Sequence, residues 1–183
     1  MICTLFLLLG YAVPVLAQDG NFVVVNAHSY PDSNHEKILV DAHVNYGLSE
    51  EAIAALHSGV MLTFELEVEV TRVRRWWPDK EIARVKRKYE LEYDALGKVY
   101  VLRGFYDRKQ HTYASLYNAL NDLGNVEGLP LIASEALDSD RSYLVRLRVS
   151  LAADKLPFPL QTLAFWRDDF SLKSEWYRWP LSD

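Results

Sequence analysis

Apolar and polar residues alternate with a period of two in four long segments of the chain. These segments are LTFELEVEVT at 62–71, ILVDAHVNY at 38–46, YLVRLRVSL at 143–151 and the stretch from 85 to 93. Because successive side chains of a β-strand point to opposite faces, each segment predicts a strand with one buried and one solvated face. Weaker strands are predicted at 22–27, 99–105 and 162–166. Strands that are solvated on one face favour antiparallel sheets.

Two segments carry helix signals instead. In LSEEAIAALHSG, Ser49 is placed to cap the first turn and Gly59 to end the helix in a left-handed conformation. In TYASLYNALNDLG, leucines recur along one stripe until Gly124. Residues 124–140, which include Pro130, are expected to form the longest irregular loop. The whole pattern predicts a mainly β domain, either a single antiparallel β-sandwich or a partly open barrel, with two short covering helices.

The amino-terminal residues predict export. MICTLFLLLGYAVPVLAQDG combines a short apolar run with small residues at Val15 and Ala17, which suits cleavage before Gln18. We therefore predict a signal peptide at 1–17, a single β-rich domain at 18–183, secretion across the inner membrane and a periplasmic location. An uncleaved anchor or an apolar first strand are the alternatives. The one cysteine, Cys3, would leave with the signal, so the mature domain would have neither disulfides nor thiolate chemistry.

Four longer stretches resemble a known family. They are GLSEEAIAALHSGVMLTFELEVEVTRVRRWW, YELEYDALGKVYVL, SLYNALNDLGNVEGLPL and the tail LPFPLQTLAFWRDDFSLKSEWYRWPL, which closes on Trp176, Trp179 and Pro180. The chain resembles a proteobacterial family of exported proteins catalogued as domain of unknown function 4390. The resemblance implies an export signal, one domain and, in some members, a gene close to that of a membrane sensor kinase. It implies no activity and no catalytic residues.

Candidates for catalysis are few. Asp41 and His43 are two residues apart on the polar face of one strand, where an acid and a base would point the same way. His28, Asp32 and His35 would complete a histidine and carboxylate metal site. The histidines lack compact ligand spacing, however, and ordinary polar residues on a solvated face explain the same pattern. Nucleophile, phosphate-loop and dinucleotide motifs are missing, so we predict no catalytic residues, no metal site and no cofactor, and we favour a protein that is not an enzyme.

A carrier of a small apolar ligand is the alternative function. A small antiparallel barrel can enclose one ligand, and the chain has 11 tyrosines and 5 tryptophans. Packing of the last segment onto the core explains the aromatic residues of the tail better, because each would bury a large area. These tail residues are Trp166, Phe170, Trp176 and Trp179.

The most unusual stretch is VRRWWPDKEIARVKRKY at 73–89, in which seven residues are basic and two are acidic. It belongs to a predicted hairpin at 62–94 that turns at 78–81 and holds eight bases and eight acids. The acids lie toward the open end and the bases toward the turn, so a simple register would place like charges opposite each other, which is mildly destabilising. Two explanations follow: the bases pair with neighbouring strands, or the hairpin has a basic tip with two tryptophans that contacts a negative surface.

We therefore predict a non-catalytic periplasmic accessory or interaction module for a cell-envelope partner, such as a membrane sensor kinase. The predicted interaction residues are Arg74, Arg75, Trp76, Trp77, Arg84, Lys86 and Lys88. An envelope protein or an anionic membrane surface is the expected partner, since tryptophan suits a membrane interface and anionic lipid attracts basic residues. The net charge of −5 would orient the protein with its basic tip toward such a surface. An exported protein rarely meets nucleic acid, so nucleic acid is not expected as a partner, and the oligomeric state stays open.

Overall fold

The structure is a computed structural model that describes residues 20–106, 110–152 and 173–181. Its strands are β1 (Phe22–Pro31), β2 (Lys37–Tyr46), β3 (Leu62–Arg72), β4 (Lys80–Asp94), β5 (Val99–Gly104), β6 (Gln110–Tyr113), β7 (Asn125–Ala133), β8 (Tyr143–Leu151) and β9 (Tyr177–Pro180). Its helices are α1 (Glu50–His57), α2 (Leu116–Gly124) and a short 3-10 helix (Ser134–Ala136). The predicted signal peptide at 1–17 and the predicted strand at 162–166 lie outside the described residues.

Two antiparallel sheets face each other. The smaller sheet has the order β1–β2–β7 and the larger has the order β6–β5–β4–β3–β8–β9. The sheets are not closed into a barrel, so the β-sandwich is the predicted architecture that the structure supports. Apolar side chains of alternate residues fill the space between the sheets, as the period-two pattern predicts. The fully buried ones include Val40, Val44, Phe64, Leu66, Val68, Val70, Val145 and Leu147. Each such side chain contributes about 1.5–3 kcal/mol through burial.

The prediction of an irregular loop at 124–140 is wrong. β7 follows α2 directly and pairs with β2, and the 3-10 helix follows β7. The residues that suggested a loop are tolerated because β7 is an edge strand of the smaller sheet, where a proline need not donate a ladder hydrogen bond. The β2–β7 register shifts next to Pro130, and Gly128 has a positive φ of 58°. An irregular edge strand therefore resembles a loop in sequence.

The two helices begin and end where the sequence predicts. The Ser49 side chain accepts a hydrogen bond from the Ala52 backbone N–H at 3.2 Å, and Gly59 follows α1 with φ +85°. α2 ends at Gly124, where a Cβ atom would lie 2.1 Å from the Val44 carbonyl oxygen. The missing side chain of Gly124 therefore allows α2 to approach β2 closely. α2 also contacts β5, so it spans from the smaller sheet to the larger one.

Candidate interaction surface

The β3–β4 hairpin ends in a loop at residues 73–79, which we call the tip. β3 and β4 pair from Leu62 opposite Leu91 to Arg72 opposite Lys80, so the chain reverses around Trp76. The turn predicted at 78–81 is therefore wrong, because β4 has already begun at Lys80. One backbone bond fastens the base of the tip to the loop before β8: the Val73 N–H donates to the Ser142 carbonyl oxygen at 2.9 Å.

The tip exposes two adjacent tryptophans. Trp76 is 83% exposed and Trp77 is 74% exposed, although tryptophan is on average a highly buried residue. The Arg75 guanidinium lies 5.6 Å from the centre of the Trp76 ring, within the range of a cation–π contact. The Asp79 carboxylate accepts a hydrogen bond from the Arg74 backbone N–H at 3.1 Å, which closes the loop. Within the described ranges, no salt bridge involves Arg74 or Arg75. The tip thus combines apolar area with uncompensated positive charge.

The bases of β4 differ from those of the tip because they pair with acids of β3. The ion pairs that directly cross this ladder include Arg84 Nη2 to Glu69 Oε1 at 2.9 Å, Lys86 Nζ to Glu67 Oε1 at 3.1 Å and Lys88 Nζ to Glu65 Oε1 at 2.5 Å. Arg84 Nη1 also lies 3.2 Å from Glu67 Oε1. The prediction that like charges face each other is wrong except at the end of the ladder, where Arg72 lies opposite Lys80. The turn lies closer to β3 than predicted, and the shifted register aligns the bases of β4 with the acids of β3.

Two arginines of β8 contact the same acids from the other side. Arg148 Nε donates to Glu67 Oε2 at 2.8 Å, and Arg146 Nε donates to Glu69 Oε2 at 2.6 Å. The side chains of Glu67 and Glu69 are 7% and 2% exposed, although they lie on the outer face of the larger sheet. Burial of a carboxylate is costly unless it is paired, and cations on both sides supply that pairing.

Hydrogen bonding reverses the effect of burial on Glu67. Burial, the largest single influence, raises the pKa of the Glu67 carboxyl, but the hydrogen bonds and positive charges of Arg148 and Lys86 together outweigh it and hold the pKa below its ordinary value. Trp176 covers this cluster, with the guanidinium groups of Arg146 and Arg148 4.5 and 4.2 Å from its ring centre. Sequence reasoning missed this cluster, although the arginines at alternate positions of YLVRLRVSL were a signal for it.

Asp41 has structural partners instead of a catalytic base. Its Oδ1 accepts hydrogen bonds from the Gly128 backbone N–H at 2.7 Å and from the Tyr30 hydroxyl at 3.0 Å. The bond to Asp41 also raises the pKa of the Tyr30 hydroxyl. Asp41 thereby joins all three strands of the smaller sheet, which accounts for its place on the polar face of β2. His43 is partly exposed and does not contribute to this arrangement.

The proposed metal ligands do not come together. Asp32 Oδ1 accepts hydrogen bonds from the backbone N–H groups of Glu36 and Lys37 at 2.8 and 3.2 Å, so it stabilises the turn between β1 and β2. His35 lies in that turn with φ +59°. His28 Nε2 is 3.9 Å from the Oδ2 atom of Asp41. In the part of the chain that the structure describes, no group of three or more histidine, cysteine or acidic residues is arranged to hold a metal ion.

Within the described part of the chain, two surface depressions are large enough to consider for a small ligand. One, of about 400 Å³, is lined by residues 21–24 and 173–177. The other, of about 310 Å³, lies between β2 and α2 and includes Tyr46, Tyr117 and Leu120. Both open to solvent, whereas apolar side chains fill the space between the sheets. Among the described residues, the exposed tip is therefore the candidate functional surface.

The comparison with known proteins gives one match. A family model described as Domain of unknown function (DUF4390) matches residues 21–180. This range includes both sheets, the tip, and the closing residues Trp176, Trp179 and Pro180. No curated protein and no solved structure matches the chain. None of the described helices has the length and apolar character that a bilayer crossing requires.

Proposed function

The chain belongs to the family of domain of unknown function DUF4390, and on that premise we propose that it is a non-catalytic accessory module of the cell envelope. Its tip contacts an anionic membrane surface. One observation carries this proposal: Trp76 and Trp77 are 83% and 74% exposed, side by side with Arg74 and Arg75. An exposed tryptophan pair has no role in the core of the domain, but its rings suit the interface between lipid headgroups and hydrocarbon.

Charge supports the membrane as the contacted surface. The tip and the first residue of β4 carry three bases, Arg74, Arg75 and Lys80, and the single acid Asp79. Each basic residue near anionic lipid adds about 1 kcal/mol of attraction, and the attraction falls off within a Debye length. Because the whole chain has a net charge of −5, the rest of the molecule is repelled by the same lipid, and the protein approaches tip first.

The proposed location is the periplasm, reached through the signal peptide at 1–17. There a membrane partner, such as a sensor kinase, meets the module at the bilayer surface. The bases of β4 are not part of the proposed membrane contact, because Arg84, Lys86 and Lys88 already pair with acids of β3. The membrane contact therefore depends on the residues of the tip.

Vesicle co-sedimentation of residues 18–183 tests the proposal. We expect binding to vesicles that contain phosphatidylglycerol, weaker binding at high salt, and none to vesicles of phosphatidylcholine alone. Replacing Arg74 and Arg75 with glutamate should abolish binding and change the free energy of unfolding by no more than about 0.5 kcal/mol, as is usual for surface positions. Replacing Trp76 and Trp77 with serine should also abolish binding.

A matched control separates the tip from net charge. The double variant Lys37→Glu and Lys98→Glu changes the total charge by the same amount at two exposed positions outside the tip, and it should still bind. Equal loss in this control would show that net charge, not the tip, drives binding. If the parent fails to bind the vesicles, the membrane proposal is wrong. Tip-dependent cross-linking to an acidic envelope protein would then identify a protein as the partner.

A further inference from the structure

β4 is longer than the strand that pairs with its outer side. β4 covers Lys80–Asp94, but its register with β5 begins only at Tyr89, opposite Gly104. Just beyond β5, the Phe105 N–H donates to the Lys88 carbonyl oxygen at 3.1 Å, which is the last such backbone bond along this side of β4 among the described residues. Within the described residues, no strand pairs with residues 80–87 of β4 on this side. We call this stretch the open edge.

The direction of the backbone groups on the open edge follows from the bond between the Phe105 N–H and the Lys88 carbonyl oxygen. The Lys88 carbonyl points toward β5, and hydrogen-bonding direction alternates along an antiparallel strand. Arg84 and Lys86, which are four and two residues earlier, therefore direct their N–H and C=O groups outward, while Val85 and Arg87 direct theirs toward β3. Such a row of outward-pointing groups is a template for another strand.

The side chains of the open edge determine which strand fits. Arg84 and Lys86 lie on the outer face with side chains 41% and 48% exposed, so a strand added next to β4 would have them as cross-strand neighbours. They contact three acids: Glu67 and Glu69, which also receive charge from the arginines of β8, and Glu81 of the open edge, whose Oε2 lies 2.5 Å from Arg84 Nη2. Opposite charges on neighbouring strands stabilise a sheet, and like charges destabilise it. The open edges of two copies of this chain would therefore repel each other, whereas an acidic strand would be attracted.

The other face of the open edge is less polar. Val85 is half-buried on this face, and Arg87 is held over the Tyr106 ring at 3.6 Å. The guanidinium of Arg87 also donates to the Lys86 carbonyl oxygen at 3.2 Å, so that bond has to be exchanged when a strand is added. A strand with acids on one face and apolar residues on the other matches both faces of β4.

We propose that the open edge of β4 binds an extended segment of a partner protein as an added strand, with acidic residues at alternate positions facing Arg84 and Lys86. Among the described residues, the part of β4 that has no neighbouring strand on this side is residues 80–87, which exceeds the typical strand length of about five to six residues. This binding site is separate from the tip and rests on different observations, so the protein can hold a protein segment while the tip contacts the membrane.

A capped peptide of alternating glutamate and valine is the probe. We expect it to bind residues 18–183 of the chain and to slow hydrogen exchange at the amides of Arg84 and Lys86, but not at Val85, whose amide already faces β3. Two N-methylated versions of the peptide should behave differently, one methylated at the odd positions and one at the even positions. Methylation of the N–H groups that face β4 should lower the affinity at least about tenfold, as expected for one or two lost hydrogen bonds, whereas methylation of the other N–H groups should leave binding intact. A lysine–valine peptide should not bind.

Two variants at one position provide the protein-side control. Lys86→Pro removes the outward N–H and should lower the affinity for the glutamate–valine peptide at least about tenfold. Lys86→Ala keeps the N–H and should lower this affinity less. Equal binding of the lysine–valine peptide, or equal sensitivity to both N-methylation patterns, would overturn the proposal. Dimerisation that Lys86→Pro abolishes would assign the open edge to a second copy instead. The N-methylated peptides decide the question on the parent even if Lys86→Pro does not fold.

The tip variants distinguish this site from the proposed membrane contact. The double variant Arg74→Glu and Arg75→Glu should bind the glutamate–valine peptide as the parent does. Lys86→Pro should bind phosphatidylglycerol vesicles as the parent does. Each proposal can therefore fail without the other.

Discussion

Arg146 of β8 donates its Nε hydrogen to Glu69 of β3 at 2.6 Å, although the two residues are 77 positions apart in sequence. The bond neutralises a carboxylate whose side chain is only 2% exposed. Arg84 of β4 contacts the other oxygen of the same carboxylate at 2.9 Å. The central strand of the larger sheet therefore carries a buried charge that both of its neighbours must satisfy.

Removing Arg146 should destabilise the fold. Arg146→Ala leaves Glu69 buried with Arg84 as its cation, and we expect a loss of about 2–3 kcal/mol in the free energy of unfolding. This loss is smaller than the 3–5 kcal/mol typical of broken buried pairs, because one cation remains. Urea denaturation followed by circular dichroism measures it. Arg103→Ala is the control: its pair with Glu92 is about 40% exposed on both sides and should contribute less than about 1 kcal/mol. Equal losses in the two variants would contradict the importance of burial.

The lowered pKa of Glu67 predicts a loss of stability in acid. A carboxyl whose folded pKa lies below its ordinary value of 4.5 contributes stability above that pH, and the contribution is lost as the pH falls through the folded pKa. The free energy of unfolding should therefore fall below about pH 4.5 more steeply for the parent than for Glu67→Gln. Denaturation at a series of pH values measures the two slopes. Parallel curves of unfolding free energy against pH would show that protonation of Glu67 does not affect the stability of the fold.

Trp179 should matter more for stability than Trp176. Trp179 packs against the core, and its Nε1–H donates to the Ser29 hydroxyl oxygen at 3.2 Å, which joins β9 to β1. Trp179→Ala should cost about 2–3 kcal/mol, less than a fully buried aromatic because the ring is half-buried. Trp176→Ala removes stacking on two arginines, a contact of about 0.5–2 kcal/mol. Thermal unfolding ranks the two variants, and Trp179→Phe isolates the hydrogen bond. The reverse ranking would show that covering the charged cluster matters more than closing the sandwich.

Gly124 should not accept any side chain. The Cβ of Gly124→Ala would lie 2.1 Å from the Val44 carbonyl oxygen, so α2 would have to move away from β2. We expect a loss of about 3 kcal/mol or more, at the upper end of overpacking effects. Gly59→Ala meets no atom within 4 Å but has φ +85°, which costs only about 1 kcal/mol. Calorimetry of both variants compares a steric effect with a conformational one, and similar melting temperatures would refute the close approach of α2.

Export can be tested on the protein from the envelope fraction. We expect an intact mass that corresponds to a chain starting at Gln18, because the small residues at 15 and 17 suit cleavage there. Such a chain contains no cysteine, so thiol reagents should leave its mass unchanged. A mass that includes Cys3 would show that the amino-terminal segment is retained.

Period-two alternation was a reliable guide to the strands because burial of one face imposes it directly. β8 follows this rule along its whole length, whereas β3 alternates in polarity but is buried on both faces. β7 escaped prediction because its neighbour β2, not its own composition, holds Gly128 and Pro130 in a strand. Local sequence cannot report a partner that lies far away along the chain.

The candidate site was predicted in outline but not in register. The sequence identified the tryptophans and bases of the hairpin, yet a loop shift of a few residues determines whether Arg84 faces a base or Glu69. Exposure of Trp76 was also open, since the same residue could have packed on a neighbouring strand. Both questions depend on tertiary geometry, which no period in the sequence encodes.

The partnership of β3 and β8 has a consequence for the order of folding. Glu67 and Arg148 are 81 residues apart, so the larger sheet cannot form its centre until the last part of the chain is available. Pairing across such separations is slow, because a long loop has to close before its contacts contribute. For a chain that is exported as we propose, this delay keeps the polypeptide unfolded and able to pass through a translocation channel. In such an exported chain, the same contact would then complete the domain on the far side of the membrane.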